Sequence, residues 1–242
     1  FDLIINCSAY TAVDKAESDI EIANRINHLA VKQIAKIANT KKIKVIHFST
    51  DYVFDGKKQE PYIESDKPNP INIYGKTKLA GEQALQLIMQ YDAIIIRTSW
   101  LYSEYGNNFV DTMMRLGKEK SQLNIVNDQI GAPTYAGDLA IALVNILQNK
   151  DFRQSKQKTQ IYHYSNKGVC NWYDFAKTIF QFANIKCKVS PINTENYPTK
   201  AQRPQYTLMS NNKILQRFSL DIPNWRESLK SCIMILNKQN EK

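Results

Sequence analysis

Residues 44–49 read Lys44-Val45-Ile46-His47-Phe48-Ser49, and residues 93–97 read Ala93-Ile94-Ile95-Ile96-Arg97. In both runs apolar side chains follow one another instead of alternating with polar ones, which is typical of strands buried on both faces. The run Leu3-Ile4-Ile5-Asn6-Cys7 predicts a third strand of the same kind. Stretches with helical spacing separate these runs, and strands that alternate with helices favour a parallel, doubly wound α/β sheet.

Two helices are predicted between these strands. In the first, apolar residues recur every three or four positions; they are Ile22, Ile26, Leu29, Ala30, Ile34 and Ile37. The segment Ser18-Asp19-Ile20-Glu21 carries a Glu three residues after a Ser, a capping-box pattern that predicts the beginning of this helix. The second helix is predicted from Tyr74 to Gln90.

The second half of the chain is less regular and predicts a smaller lobe. Its predicted helices cover residues 109–116, 137–148, 172–182 and 225–237, and its predicted strands cover residues 123–126 and 161–164.

Composition and charge narrow the class of protein. The chain has 242 residues, of which 43% are hydrophobic and 23% are charged, and these values are typical of a globular protein rather than a disordered or fibrous one. No apolar run approaches the roughly 18 residues of a membrane-spanning helix, so we expect no membrane partner. The formal net charge is +9. Because the basic residues are scattered in short groups, small anionic ligands are favoured over nucleic acid.

The four cysteines are Cys7, Cys170, Cys187 and Cys232. They form no C-x-x-C pair, and only three histidines accompany them, so no structural zinc site is predicted. Dispersed, reduced cysteines are typical of the cytoplasm. Cys7 lies in an apolar strand-like run and is predicted to be a buried free thiol.

The segment Tyr74-Gly75-Lys76-Thr77-Lys78 places a phenol and an amine four residues apart at the start of the second predicted helix. Side chains at positions i and i+4 share a helix face, so Tyr74 and Lys78 are expected to point the same way. A nearby ammonium group stabilises a phenolate and lowers the pKa of the phenol. The pair predicts a tyrosine that exchanges protons with a ligand, although a Tyr packed at a helix start would show the same spacing.

A hydroxyl-bearing segment precedes this pair. Residues 48–56 read Phe48-Ser49-Thr50-Asp51-Tyr52-Val53-Phe54-Asp55-Gly56, at the end of a predicted strand. In open α/β sheets, ligands bind beyond the carboxyl ends of the strands. A hydroxyl group there is expected to hydrogen-bond a substrate oxygen while Tyr74 transfers a proton.

Together these motifs resemble those of extended short-chain dehydrogenases/reductases, in the branch that acts on nucleotide sugars. The resemblance covers essentially the whole chain. Its residues are Asn6-Cys7-Ser8-Ala9-Tyr10-Thr11-Ala12-Val13-Asp14-Lys15-Ala16-Glu17, Ser49-Thr50-Asp51-Tyr52-Val53-Phe54-Asp55-Gly56, Tyr74-Gly75-Lys76-Thr77-Lys78, Arg97-Thr98-Ser99-Trp100-Leu101-Tyr102, Gly106-Asn107-Asn108-Phe109, Asp128-Gln129-Ile130-Gly131-Ala132-Pro133-Thr134 and Arg203-Pro204. The implied fold is a Rossmann-like sheet with a smaller C-terminal lobe: residues 1–104 would form the cofactor-binding part and residues 105–242 mainly the substrate-binding part, with residues 136–166 returning to the sheet.

The resemblance also implies an activity and roles for individual residues. NADPH, or alternatively NADH, would deliver hydride to the C4 ketone of dTDP-4-dehydro-L-rhamnose. Tyr74 would donate the proton, Lys78 would assist it and bind the nicotinamide ribose, and Thr50 would position the substrate oxygen. Further implied contacts to the cofactor are Ser8, Ala9, Tyr10, Thr11 and Ser99. Those implied for the dTDP-sugar are Asp51, Tyr52, Trp100, Asn108, Gln129 and Arg203, with Arg203 on the diphosphate. Some members dimerise around Mg²⁺, so a homodimer and Mg²⁺ are both open for this chain, with no metal ligands assigned.

One feature of such proteins is absent from the sequence. They begin with a strand and a glycine-rich turn that holds the cofactor pyrophosphate. None of the eight glycines here forms G-x-G-x-x-G. We therefore expect that about 50 residues of the Rossmann unit precede Phe1 in the intact protein, and that residues 1–242 alone bind dinucleotide weakly.

Two alternatives remain at this stage. The regulatory subunit of methionine adenosyltransferase resembles the same proteins and would bind a nucleotide without turnover. A nucleotide-sugar epimerase or dehydratase would share the fold. Dehydratases usually carry an acidic pair in the active-site loop, whereas Asp51 is followed here by Tyr52, which favours a reductase.

Overall fold

The computed structural model describes residues 1–154 and 156–240. Its strands are β1 (Leu3–Asn6), β2 (Lys44–Thr50), β3 (Ala93–Thr98), β4 (Leu101–Tyr102), β5 (Gln122–Val126), β6 (Ile130–Gly131), β7 (Thr134–Tyr135), β8 (Gln160–Tyr164), β9 (Cys170–Asn171) and β10 (Lys188–Ile192). Its α-helices are α1 (Val13–Ala16), α2 (Ile20–Asn24), α3 (Val31–Lys41), α4 (Ile73–Ile88), α5 (Phe109–Glu119), α6 (Ala136–Gln148), α7 (Lys150–Gln154), α8 (Trp172–Phe182), α9 (Asn212–Phe218) and α10 (Trp225–Asn240). A π-helical turn covers Arg25–Ala30, and 3₁₀ turns cover Asp51–Val53 and Thr194–Asn196.

The main sheet is parallel and has the order β1-β2-β3-β8. Every residue of β3 is buried, because helices cover both faces of the sheet. The predicted α/β doubly wound sheet is thus confirmed, and so is the strand at residues 161–164, which pairs with β3 from within the second half of the chain. The division of the chain at residue 104 stays a prediction.

A second core lies in the later part of the chain. Strands β5 and β10 form a parallel pair, and α5, α8 and α10 pack together beside it. The centre of this core is aromatic: Phe175 contacts Phe109 and Trp225, and Trp225 is almost fully buried. This packing builds the wall that faces the carboxyl ends of β2 and β3. Within the described residues, no helix is both long and apolar enough to cross a membrane.

The apolar stripe predicted for the first helix is wrong. Ile22, Leu29 and Ile37 are exposed, whereas the buried positions are Ala23, Asn27, Val31, Ala35 and Ala38. The buried positions also recur at helical spacing, but most of them are alanines. Small side chains fit there because α4 packs so closely that a Cβ atom at Gly81 would lie 2.2 Å from the Asn27 carbonyl oxygen. The predicted capping box is also absent, since the Ser18 hydroxyl donates to the Lys15 carbonyl and no side chain caps α2.

Cys7 is exposed, so the prediction of a buried thiol is wrong. Strand β1 ends at Asn6, and Cys7 begins the loop at the carboxyl end of the sheet. The apolar run that precedes it therefore says nothing about the burial of Cys7.

Candidate active site

The carboxyl ends of β1, β2 and β3 open onto a cleft of about 640 Å³. Parallel strands deliver their loops to the same edge of a sheet, so residues far apart in sequence meet here. The predicted site residues that line this cleft are Ser8, Ala9, Thr11, Thr50, Asp51, Tyr52, Tyr74, Lys78, Ser99, Trp100 and Asn108. Tyr10, Gln129 and Arg203 are not among the lining residues.

Helix α4 is fixed at its start, which places Tyr74 in the first turn. The Asn72 side chain accepts a hydrogen bond from the Gly75 backbone N–H at 2.8 Å, an N-cap. The Glu17 carboxylate accepts from the Ile73 N–H at 2.8 Å. A Cβ atom at Gly75 would lie 2.1 Å from the Tyr52 carbonyl oxygen, so only glycine allows the helix to approach that loop so closely.

Lys78 lies one turn further along α4 and is almost fully buried. Its Nζ atom donates to the Phe48 carbonyl oxygen at 2.6 Å. Burial lowers the pKa of Lys78 to about 8, while the charge on Glu82 acts in the opposite direction. At neutral pH the amine is therefore charged and held against the end of β2.

The pKa of Tyr74 does not fall as the sequence predicts. Burial raises it to about 12, and a hydrogen bond with the Thr50 side chain only partly offsets this rise. Removal from water penalises the phenolate, and the negative charge of Asp51 raises the pKa of Tyr74 further. The tyrosine is thus firmly protonated, a state suited to a proton donor.

The turn after β2 presents three polar side chains to the cleft. Thr50 donates to the Asp51 carboxylate at 3.1 Å and accepts from the Tyr52 N–H at 3.2 Å. Burial raises the pKa of Asp51 to about 6. The rings of Tyr52 and Tyr74 meet edge to face with centroids 5.7 Å apart. The Ser49 hydroxyl is buried and has no hydrogen-bond partner among the described residues, so it is free to bind a ligand.

The loop after β1 is held by Asn27, a residue that the sequence analysis missed. The Asn27 side chain accepts from the Tyr10 N–H at 2.8 Å, donates to the Tyr10 carbonyl at 3.1 Å and donates to the Thr77 hydroxyl at 3.2 Å. Asn27 is fully buried, and the Tyr10 hydroxyl instead donates to Asp19. The loop that carries Ser8 and Ala9 is therefore fixed relative to α4. The only signal for Asn27 in the sequence is a polar residue inside a helix.

The opposite wall of the cleft is aromatic. Trp100 stacks on Trp172 with ring centroids 3.7 Å apart. Its φ of 48° lies in the left-handed region, which is rare for a bulky residue and often marks a functional segment. Asn108 uses its side-chain oxygen to cap α5, accepting from the N–H groups of Val110 and Asp111. Ser99 donates to the Ala132 carbonyl at 2.7 Å.

Gln129 and Arg203 lie outside the Tyr74 cleft. Arg203 lines a second cleft of about 1000 Å³ and forms a bidentate ion pair with Asp14 at 2.9 and 2.7 Å. Gln129 lies between the two clefts: it accepts from the Trp172 indole N–H at 3.1 Å and donates to the Thr194 hydroxyl at 3.1 Å. Both side chains are thus engaged with the protein itself, and their predicted sugar and diphosphate contacts stay predictions.

Two further residues near the site were missed by the sequence analysis. Glu82 and Arg97 are fully buried and form a bidentate pair at 2.9 and 2.7 Å. The sequence signal was available, since Glu82 follows Lys78 by four residues and Arg97 is a charge within an otherwise apolar strand. Across residues 1–154 and 156–240, no group of three or more His, Cys, Asp or Glu side chains could hold a metal ion.

Comparison with known proteins gives consistent matches over nearly the whole chain. The family described as the RmlD substrate binding domain matches residues 1–238. The dTDP-4-dehydrorhamnose reductase of Escherichia coli (strain K12) is 42% identical, over 96% of this chain and 79% of that protein. A solved structure of dTDP-4-dehydrorhamnose reductase from Bacillus anthracis str. Ames, in complex with NADP, superposes with a TM-score of 0.90. It is 41% identical and covers 97% of this chain and 80% of that one.

Proposed function

Because the chain belongs to the RmlD substrate binding domain family, we propose that it reduces the C4 ketone of dTDP-4-dehydro-L-rhamnose to dTDP-L-rhamnose with NADPH, in dTDP-rhamnose biosynthesis. The single observation that carries the chemistry is the convergence of Thr50, Tyr74 and Lys78 on one cleft at the carboxyl ends of the strands. These residues come from two separate segments of the sequence, and each has the functional group that ketone reduction requires.

The residues of the cleft fit the nicotinamide half of the cofactor. Ser8 and Thr11 line the same cleft as Lys78, whose amine can donate to ribose hydroxyl groups. Leu139, Leu143 and Ala140 of α6 supply an apolar surface in the same cleft. When bound there, NADPH supplies the hydride, and the protein supplies orientation and electrostatics.

Tyr74 is the proton donor in this proposal. Negative charge develops on the C4 oxygen of the sugar as the C–H bond forms, and the Tyr74 phenol transfers its proton to that oxygen. A pKa of about 12 keeps the phenol protonated beforehand. The transfer is still favourable, because an alkoxide is a much stronger base than a phenolate.

Lys78 and Thr50 complete the proton-transfer step. The phenolate left on Tyr74 gains stability from the charged amine of Lys78, one turn along the same helix. The hydroxyl groups of Thr50 and Ser49 lie at the end of β2 and can donate to the C4 oxygen, which positions it. Re-protonation of Tyr74 from solvent then resets the site.

We propose that the sugar lies on the Tyr74 side of Tyr52 and that the nucleotide extends on the other side, towards Arg203. Asp51 and Trp100 line the cleft beside Tyr74 and are proposed to bind the sugar hydroxyls and the sugar face. The positive charge of Arg203 acts to lower the pKa of Tyr52, which places the guanidinium group near that residue. The second cleft has a mixed lining, with the basic residues Lys57, Lys58, Lys200 and Arg203 and the acidic residues Asp55, Asp128 and Glu195. The position of Arg203 between this cleft and Tyr52 supports the proposal that it contacts the diphosphate.

The decisive experiment measures NADPH consumption by the full-length protein with dTDP-4-dehydro-L-rhamnose and identifies the product by mass spectrometry. We expect turnover in the parent and its near-complete loss in Tyr74→Phe. If the parent showed no turnover and Tyr74→Phe behaved like it, the reductase proposal would fail. Nucleotide binding without turnover, together with co-purification of a synthetase, would instead favour a regulatory subunit.

The proposal also includes a cellular location and an oligomeric state. All four cysteines are free, which supports a cytoplasmic location. A homodimer is proposed as the oligomeric state to be tested by light scattering with and without Mg²⁺.

A further inference from the structure

Glu82 and Arg97 form a buried ion pair behind the active site. Arg97 Nε donates to one carboxylate oxygen of Glu82 at 2.9 Å, and Nη2 donates to the other at 2.7 Å. Each side chain is about 1% exposed. Arg97 also lies over the Phe54 ring, with its Cζ atom 5.2 Å from the ring centroid. Both geometry and surroundings therefore hold this pair in one arrangement.

The pair connects the catalytic helix to the sheet. Glu82 follows Lys78 by one turn on α4, and Arg97 is the β3 partner of Ser49 on β2. The Lys78 amine is bound by Phe48, the neighbour of Ser49. Helix α4 is thus tied to β2 through Lys78 and to β3 through Glu82, which fixes its distance from the end of β2.

A buried ion pair is an energetically unfavourable way to hold a helix against a sheet. Removing two charges from water costs several kcal/mol per ion, and apolar side chains of similar volume usually stabilise a fold at least as well. On the same face of the sheet, the neighbouring positions Val45, Ala93 and Ile95 are buried apolar residues, so apolar side chains can fill this layer. A role beyond packing therefore accounts for the pair better than stability alone.

The electric field of the pair supplies that role. Glu82 lies four residues after Lys78 on α4, so the two side chains share a helix face, while Arg97 binds the Glu82 carboxylate from β3. Two histidines of the neighbouring strands carry no charge. Burial lowers the pKa of His47 on β2 to about 3, and it does the same for His163 on β8, which lies beside Arg97. Asp51 acts on the pKa of Tyr74. Among the described residues, Glu82 is the charge that raises the pKa of Lys78 against the effect of burial.

We propose that Glu82, held by Arg97, is a positioning residue that keeps the Lys78 amine protonated and directed at the end of β2. This inference rests on the proposed reductase function for its kinetic consequence only. The protonation of Lys78 itself can be measured without any turnover.

The test uses three variants of the full-length protein. Glu82→Gln removes the negative charge and leaves Arg97 in place. The double variant Glu82→Met with Arg97→Met removes both charges but keeps apolar volume and packing, so it remains informative if the single variant folds poorly. Glu119→Gln breaks the exposed pair with Arg115 on α5 and serves as the control.

The first measurement is the NMR titration of lysines carrying ¹³C at Cε, with the Lys78 signal assigned by its loss in Lys78→Arg. We expect the Lys78 midpoint to fall by about one pH unit in Glu82→Gln and by less in the double variant, because Arg97 no longer opposes the lysine there. The midpoint should not change in Glu119→Gln.

The second measurement is the pH profile of kcat/KM. Activity requires the protonated amine, so the alkaline limb should move to lower pH in both Glu82 variants. We expect roughly fivefold less activity near pH 8 in Glu82→Gln and a smaller loss in the double variant. An unchanged Lys78 midpoint in both variants, or a parent-like pH profile in Glu82→Gln, would show that the pair acts only in packing. Absence of turnover in the parent would contradict the reductase proposal. The NMR midpoint of Lys78 would then decide by itself whether Glu82 keeps the amine protonated.

Discussion

The Nζ atom of Lys78 lies 2.6 Å from the carbonyl oxygen of Phe48, 30 residues earlier in the chain. This bond joins the helix that carries Tyr74 to the strand that carries Thr50, so the proposed proton donor and the proposed positioning hydroxyl are held together through it. The bond holds a charged amine in a site with little water, which lowers the stability of the folded protein. The free energy of unfolding therefore depends on pH in a predictable direction.

Lys78→Met is predicted to abolish the part of this pH dependence that comes from Lys78. The pKa of Lys78 is about 8 in the folded protein, against 10.5 for an ordinary lysine. Between these two values the unfolded chain binds the proton and the folded one does not, so parent stability rises with pH there; below pH 8 the full penalty of the buried charge remains. Relative to Lys78→Met, the parent should gain at most about 3 kcal/mol between pH 8 and 10.5.

Urea denaturation at pH 7.5 and pH 10 measures this difference. Lys76→Met is the matched control, because Lys76 is exposed on the same helix. A parent-to-variant difference that stayed constant across this range would mean that Lys78 is not buried as a charge.

Tyr74→Phe is predicted to lower kcat by about 10²–10⁴-fold, since it removes the general acid and leaves the ring packed against Tyr52. The affinity for NADPH and the melting temperature should stay close to those of the parent. Stopped-flow fluorescence and a thermal scan provide both checks. Tyr91→Phe, which alters an exposed phenol outside the cleft, should leave all three quantities unchanged.

Asp51→Asn is predicted to stabilise the protein at neutral pH. The pKa of Asp51 is about 6 when folded and 3.8 for an ordinary aspartate, so the folded state holds the proton more tightly. Stability from this group is complete below pH 3.8 and is lost as the pH rises through 6. The advantage of Asp51→Asn should therefore appear above pH 6 and vanish near pH 4 in melting experiments. Asp111→Asn, at an exposed site, should show no such crossover.

Cys7 is predicted to react with iodoacetamide and to be protected by NADPH. Cys7 is exposed and lines the cleft. Partial removal of the thiol from water raises its pKa, so the reaction should accelerate at alkaline pH. Cys187 is accessible but lies outside the cleft and should react equally with and without the cofactor. Peptide mass spectrometry distinguishes the two sites. Equal labelling of Cys7 in both conditions would place the cofactor elsewhere.

Asn27→Ala is predicted to destabilise the protein by about 2 kcal/mol, because two backbone groups of Tyr10 lose their partners. Since the released loop lines the cleft, KM for NADPH should rise more than KM for the sugar. Asn24→Ala, one turn earlier and bonded only to His28 within its own helix, should cost less than 1 kcal/mol. Steady-state kinetics with each substrate varied in turn tests the asymmetry.

Much of the fold could be predicted because its signals are local. A continuous apolar run has to be buried on both faces, so residues 44–49 and 93–97 predict central strands wherever the chain places them. The spacing of Tyr74 and Lys78 likewise places both on one face of a helix. The first helix shows the limit of this reasoning, since its buried face carries small residues such as Ala23, Ala35 and Ala38, whereas the pattern of apolar residues is set by larger side chains.

The sequence by itself determined which strands are central, which helix carries the tyrosine and lysine, and which family the chain resembles. Only the tertiary structure decided that Tyr74 is less acidic than a free phenol, that Arg203 pairs with Asp14, and that Glu82 and Arg97 meet behind Lys78. The physical reason is that periodicity depends on neighbours along the chain, whereas a pKa or an ion pair depends on how much water and which charges surround a group after distant segments have packed together.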